Sequence, residues 1–324
     1  MIQRQLPPWA RADNPILRTL LGAARTEGRR ARLVRAFFVM LGGGLALMVG
    51  YLIASDYNTT NPLERPVSQA LFEILFYPVL FFQLVLRLSA LGMTVGAVAE
   101  EKRRQTWDSL RATVGGVALA LRARWSAVVL YRLRGLLAVT ILARIVMIGA
   151  LLYDLTAFSG EYLNYLVGGI IPQISVPVAV LLLSLMMTAS LLLPLTGLGL
   201  DAALGLLVST AVRQRLYVGL VQILLSLIRV GVVLLLVLAV TRFRDPAGLT
   251  GTTDAGTWIL LAAFAAIGDW GFSFLYLGFY GGEVWANVPY GILIGPALLL
   301  FIFMQTALTD VILALAIRRG ERRE

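Results

Sequence analysis

The chain contains no cysteine and no histidine, and these two absences remove most of the chemistry by which a protein acts alone. Without thiols there is no disulfide, no thiolate nucleophile and no soft metal site. Without imidazole, the commonest metal ligand and the usual general base near neutral pH are gone. Lysine is nearly absent too: Lys102 is the only one, and Glu101 precedes it. A phosphate-binding loop ends in Gly-Lys-Ser or Gly-Lys-Thr, so this chain builds no standard ATP-hydrolysing loop. Charge is also scarce, at 14% of residues against 59% apolar, with a mean hydropathy of +0.82. A soluble domain has no use for that much apolar surface, and the bilayer is the expected solvent.

What the chain does have is long apolar runs. A helix needs about 20 apolar residues to cross the hydrocarbon, and the stretches 36–55, 69–97, 135–155, 174–205, 217–241 and 290–316 meet that length. The expected fold is an all-α membrane protein, a single permease-like domain over 1–324 with six transmembrane helices. A further apolar stretch, 258–280, is broken by Gly268-Asp269-Trp270-Gly271. It reads as a re-entrant or interfacial hairpin on the outer side, with a seventh crossing as the alternative. The first apolar run starts near Ala36, behind an Arg-rich leader with no small-residue cleavage site, so no cleaved signal is expected.

The net charge of +10 is read as topology rather than as nucleic-acid binding, since no soluble basic face with interleaved aromatics exists. Arginines gather in the leader (Arg4 to Arg35), in the block after the second run (Lys102 to Arg124), at Arg213 and Arg215, and at Arg318 to Arg323. Six crossings put all four clusters on the cytoplasmic side, together with both termini. Arg242 and Arg244 then lie outside, which counts against the scheme. Within the leader, 1–35, Asn14-Pro15 is a good helix start, and Ile16, Leu17, Leu20, Leu21 and Ala24 fall at helical spacing. An interfacial amphipathic helix is expected there, the alternative being an ordinary positive flank.

Residues 99–125 form a charged block between two apolar runs. Glu100, Glu101 and Arg104 are spaced to pair along a helix. Trp107 and Leu110 lie three apart on one face, a small aromatic-aliphatic knob suited to a partner's pocket, ringed by Glu101, Arg104 and Asp108. The alternative is a solvated turn whose Trp107 dips into the headgroups.

Five ionisable residues lie deep inside the runs: Arg87, Arg144, Asp201, Arg229 and Asp310. Each costs roughly 2.5–3.5 kcal/mol at a bilayer centre, so each must face a cavity or a partner. Asp201 and Arg229 are similar in depth on adjacent runs and are expected to pair. Arg87 and Arg144 have no acidic neighbour in sequence, and read as pathway residues suited to an anionic or zwitterionic lipid-like cargo.

The order of these elements resembles the type-2 permease family of ABC exporters. That family often carries Glu-Arg-Glu-x-Gly-Thr-x-x-x-Leu-Leu-x-x-Pro after its second span. Here the stretch from Glu101 to Val114 keeps Glu101, a basic Lys102, Thr106 and Leu110, and places Arg103, Gln105, Arg111 and Val114 at the second acid, the Gly, the second Leu and the Pro. A second echo is Gly205-Leu206-Leu207-Val208-Ser209-Thr210 before Arg213. The resemblance implies that the stretch from Glu101 to Val114 forms a coupling helix, within a cytoplasmic coupling block 99–125, that docks on a separate ATPase through Glu101, Arg104, Thr106, Trp107, Asp108 and Leu110. It also implies a second permease subunit, identical or different, and a bacterial inner-membrane location. No cofactor is expected in this chain, with ATP and magnesium belonging to the ATPase. Two other classes stand beside it. A non-transporting membrane scaffold would use the same block to hold a soluble subunit. A metal-dependent lipid-modifying enzyme needs clustered carboxylates, whereas the Asp residues are nowhere closer than Asp245 and Asp254.

Overall fold

The computed structural model describes residues 6–22, 29–57, 67–103, 105–113, 115–157, 174–212, 215–243 and 293–322. All regular structure among them is helical. This follows from the solvent: in hydrocarbon each backbone polar group must be satisfied within its own segment. The helices are α1 (Pro15–Leu21), α2 (Arg29–Tyr57), α3 (Val67–Val95), α4 (Ala97–Arg103), α5 (Trp107–Ala112), α6 (Gly116–Ser126), α7 (Arg134–Ala157), α8 (Val176–Ala211), α9 (Arg215–Phe243) and α10 (Ile294–Glu321).

Among the described residues, four helices are long and apolar enough to cross a membrane: Ile74–Lys102, Val176–Ala211, Tyr217–Leu235 and Ile294–Glu321. A fifth crossing is made if the pair Gly116–Arg132 and Arg134–Ala150, bent by 53°, counts as one. In α2 the apolar stretch is the shorter Met40–Leu52. The helices thus coincide with the six runs read from sequence, while four or five of them meet the length and hydropathy of a span. The expected hairpin at 258–280 lies outside the described residues.

Helix α8 is the axis of the bundle, packed against α10, α3 and α7. Its 36 residues span about 54 Å at 1.5 Å each, well beyond a hydrocarbon core of about 30 Å. One end of α8 therefore serves as the support on which the charged block is built. Every fourth residue of that end is small or polar: Gly197, Asp201, Gly205 and Ser209 share one face, and α3 lies on it. A methyl group at Gly197 would come within 3.0 Å of the Arg87 Cζ, and one at Gly205 would run into the Thr94 Oγ1. The Ser209 hydroxyl accepts from the Val98 N–H at 2.6 Å, just past the break between α3 and α4.

The stretch 100–110, read from sequence as one helix-compatible segment, breaks between α4 and α5. With α6 the block contains parts of three helices, and α6 is largely internal, with Val117, Ala120, Leu121 and Ala123 buried. The Trp125 ring N–H donates to the Gly199 carbonyl at 2.9 Å, fixing α6 to α8. A π-helical turn, Ala127–Arg132, joins α6 to α7, closed by Leu133 N–H donating to the Val128 carbonyl five residues back.

The leader also differs from expectation. Asn14 caps α1 by accepting from the Ile16 and Leu17 N–H groups, but the helix ends after seven residues at Gly22, with φ 78°. It packs on protein. Leu17 is wholly buried, Trp9 meets Trp125 edge to face, and the Tyr131 hydroxyl and Arg132 donate to the Ala10 and Leu20 carbonyls. The N-terminal segment, the block and the end of α10 thus gather at one end of the bundle.

Candidate functional site

Three of the five deep charges converge. The Arg87 Nε donates to the Asp201 Oδ2 at 2.7 Å, and the Arg229 Nη2 reaches both oxygens of Asp201 at 2.5 and 2.7 Å. The pairing of Asp201 with Arg229 is as the sequence suggests. Arg87 corrects the sequence reading, because the acid that it lacks along the chain is supplied by α8. Only Gly197 leaves room for its guanidinium beside the α8 backbone. Arg87 and Asp201 are buried, while the Arg229 side chain is 22% exposed. A buried ion pair adds little net stability, since desolvation offsets attraction, but removing one member leaves a charge that nothing matches.

The three residues line one end of a half-open cavity of about 380 Å³ between α3, α8 and α9. Its other walls are apolar, among them Leu88, Leu91, Leu204, Leu225 and Ile228. Helix α9, the outer wall, touches the bundle lightly.

Arg144 is separate from this cluster. Only 1% exposed, it donates to the Ser190 carbonyl and to the Gln83 side-chain oxygen. That carbonyl is available because Pro194, four residues on, has no N–H to offer it. A proline in α8 thus creates the acceptor that an arginine in α7 occupies. Gln83 stands one turn from Arg87 on α3, so the two polar nodes are neighbours along one helix. Asp310 joins neither, being exposed on the outer face of α10. The polar contact that α10 does make with α8 is Thr196 to Gln305, at 2.8 Å.

The block is knitted through Glu101, whose carboxylate takes the Thr106 hydroxyl on one oxygen and the Arg124 guanidinium on the other. Arg124 also donates to the Ala97 carbonyl at 2.7 Å. Trp107 overturns the expected outward knob. It is 3% exposed, sealed among Val117, Ile317 and their neighbours, with its ring edge 3.4 Å from where a Gly320 methyl would sit. A wide ring on a short helix buries more apolar area inward, against α10, than it leaves free. Leu110 packs half-buried against the same cluster. Arg111 extends the seam, donating to the Gly320 carbonyl at 2.9 Å and to that of Arg322. Between Glu101 and Leu110 the exposed side chains are Lys102, Gln105, Thr106, Asp108 and Ser109; Arg104 lies outside the described residues. Gln105 has φ 56°, a left-handed conformation that glycine adopts freely and glutamine does not.

Gln83, Ser190 and Gly197 were not singled out from sequence, although the four-residue spacing of small residues around Asp201 marks a close helix contact. Among the described residues, no three Asp or Glu side chains are placed to hold a metal ion. No family model, curated protein or solved structure matches this chain.

Proposed function

We propose that this chain is the permease subunit of an ATP-driven exporter of the type-2 ABC class, with ATP hydrolysed, with magnesium, by a separate subunit. In this reading it acts with a second permease chain, identical or different. ATP-driven closure of the ATPases pushes on the block, and the cavity between α3, α8 and α9 is part of the path for a lipid-like or amphipathic substrate. Six crossings place the block and both termini at the cytoplasmic face, with the segment 258–280 as an outer hairpin. The meeting of the N-terminal segment, the block and the end of α10 at one end of the bundle supports an even number of crossings.

One observation carries the proposal: the charged block is joined to the helix that holds the buried carboxylate. Trp107 locks α5 to α10, Trp125 locks α6 to α8, and Ser209 binds the start of α4 to α8. Twelve residues separate Ser209 from Gly197 along continuous helix, so displacement of the block moves Asp201 and the cavity wall with it. A scaffold that only holds a soluble subunit needs no such connection. The ATPase contact in this reading falls on the exposed face of α5, around Asp108 and Gln105, with Trp107 as the internal anchor. Affinity isolation of the tagged chain from its native membrane tests this. A chain bearing Gly-x-x-x-x-Gly-Lys-Ser/Thr should co-purify in stoichiometric amount and lose association when Asp108 and Ser109 are replaced by arginine. If the intact chain brings down no nucleotide-binding subunit, the scaffold reading replaces this one.

A further inference from the structure

Two guanidiniums, those of Arg87 and Arg229, meet the Asp201 carboxylate at the end of an otherwise apolar cavity. Arg229 bonds Asp201 through Nη2, and no hydrogen bond engages its Nε or Nη1 among the described residues. These are donors of a planar fork that suits carboxylate and phosphate. They belong to the most exposed member of the cluster, on the helix that forms the outer wall. Guanidinium donors unmatched inside a membrane are costly, and an arriving anion supplies the acceptors without displacing Asp201. Arg87 and Asp201, each 5% exposed, hold the fork in place.

We infer that this cavity binds a single-chain anionic amphiphile, its carboxylate or phosphate on Arg229 and its alkyl chain along Leu204, Leu225 and Ile228. The volume of about 380 Å³ falls at the small end of ligand pockets, about 300–1,000 Å³, which fits one chain rather than two. As a statement about cargo this rests on the exporter reading; as a statement about binding it stands apart from it.

The test uses the full chain, purified in a zwitterionic detergent without any partner. Binding of dodecyl phosphate, dodecanoate, dodecanol and a diacyl phosphatidylglycerol is measured by native mass spectrometry and by shift of the unfolding temperature. The two anions should bind one per chain, at least tenfold more tightly than dodecanol and than the diacyl lipid. Arg229→Leu should abolish that preference. Leu204→Trp, which fills the cavity and leaves the charges intact, should weaken both anions at least tenfold. Equal binding of dodecanol would remove the anion requirement, and wild-type affinity in Arg229→Leu or Leu204→Trp would place the ligand elsewhere. Tighter binding of the diacyl lipid would make the cavity a bilayer-lipid site and overturn the single-chain assignment. Binding as expected, with no ATPase found in the isolation experiment, would refute the exporter reading and leave the ligand assignment standing.

Discussion

Asp201→Asn isolates what the buried carboxylate does, because the amide keeps its shape and loses its charge. Two guanidiniums then face each other with one weak acceptor between them. Removing one partner of a buried ion pair typically costs about 3–5 kcal/mol, and Arg87, at 5% exposed, has little access to water in compensation. Arg229→Leu behaves differently. It leaves Arg87 and Asp201 as a matched pair at 2.7 Å and removes a group whose side chain is 22% exposed. Its cost should be about 1 kcal/mol, typical of a polar contact between membrane helices. Equilibrium unfolding in mixed micelles of rising dodecyl sulfate content, followed by circular dichroism, gives both values. The double variant Asp201→Asn with Arg87→Leu should lose less than the sum of the single changes by at least about 1 kcal/mol, because the second change removes one of the two guanidiniums that the lost carboxylate had joined. If Asp201→Asn costs no more than Arg229→Leu, and the double variant is additive, the cluster is not an electrostatic unit.

The other predictions concern packing and backbone. Gly197→Ala puts a methyl 3.0 Å from the Arg87 Cζ and should lower stability by about 1–3 kcal/mol, whereas Gly219→Ala, with nothing within 4 Å, should be neutral or slightly stabilising; similar effects of the two in the same micelle titration would argue against close α3–α8 contact. Trp107→Ala removes a ring sealed between α5, α6 and α10, and should destabilise the isolated chain by about 3–5 kcal/mol; an outward knob would leave the isolated chain unaffected. Gln105→Gly relieves the left-handed φ of 56° and should raise the unfolding free energy by up to about 1 kcal/mol, while Gln105→Val should lower it.

The helices were legible because membrane crossing is a local property: length and hydropathy decide it, and the runs and the helices agree within a few residues at most ends. The Asp201–Arg229 pair was legible because a short connection makes depth comparable along two adjacent helices. Arg87 was not, since its partner lies 114 residues away and sequence depth does not say which faces meet. Trp107 was misplaced for a related reason. A tryptophan on a short amphipathic helix fits a partner's pocket or its own bundle equally well, and the small Gly320 that receives it is distant in sequence. Arg144 was read as lacking an acid, whereas its acceptors include a carbonyl freed by Pro194, a consequence of backbone chemistry rather than of charge pattern.

The central claim is that motion of the charged block reaches the cavity. The absence of cysteine makes it directly measurable, since Leu204→Cys and Ile228→Cys place spin labels on the α8 and α9 walls without background. Distance distributions between them, measured by pulsed electron resonance on the complex with the proposed ATPase subunit, should differ between the nucleotide-free and the ATP-trapped states. Identical distributions in the two states, in a complex that still hydrolyses ATP, would contradict the account.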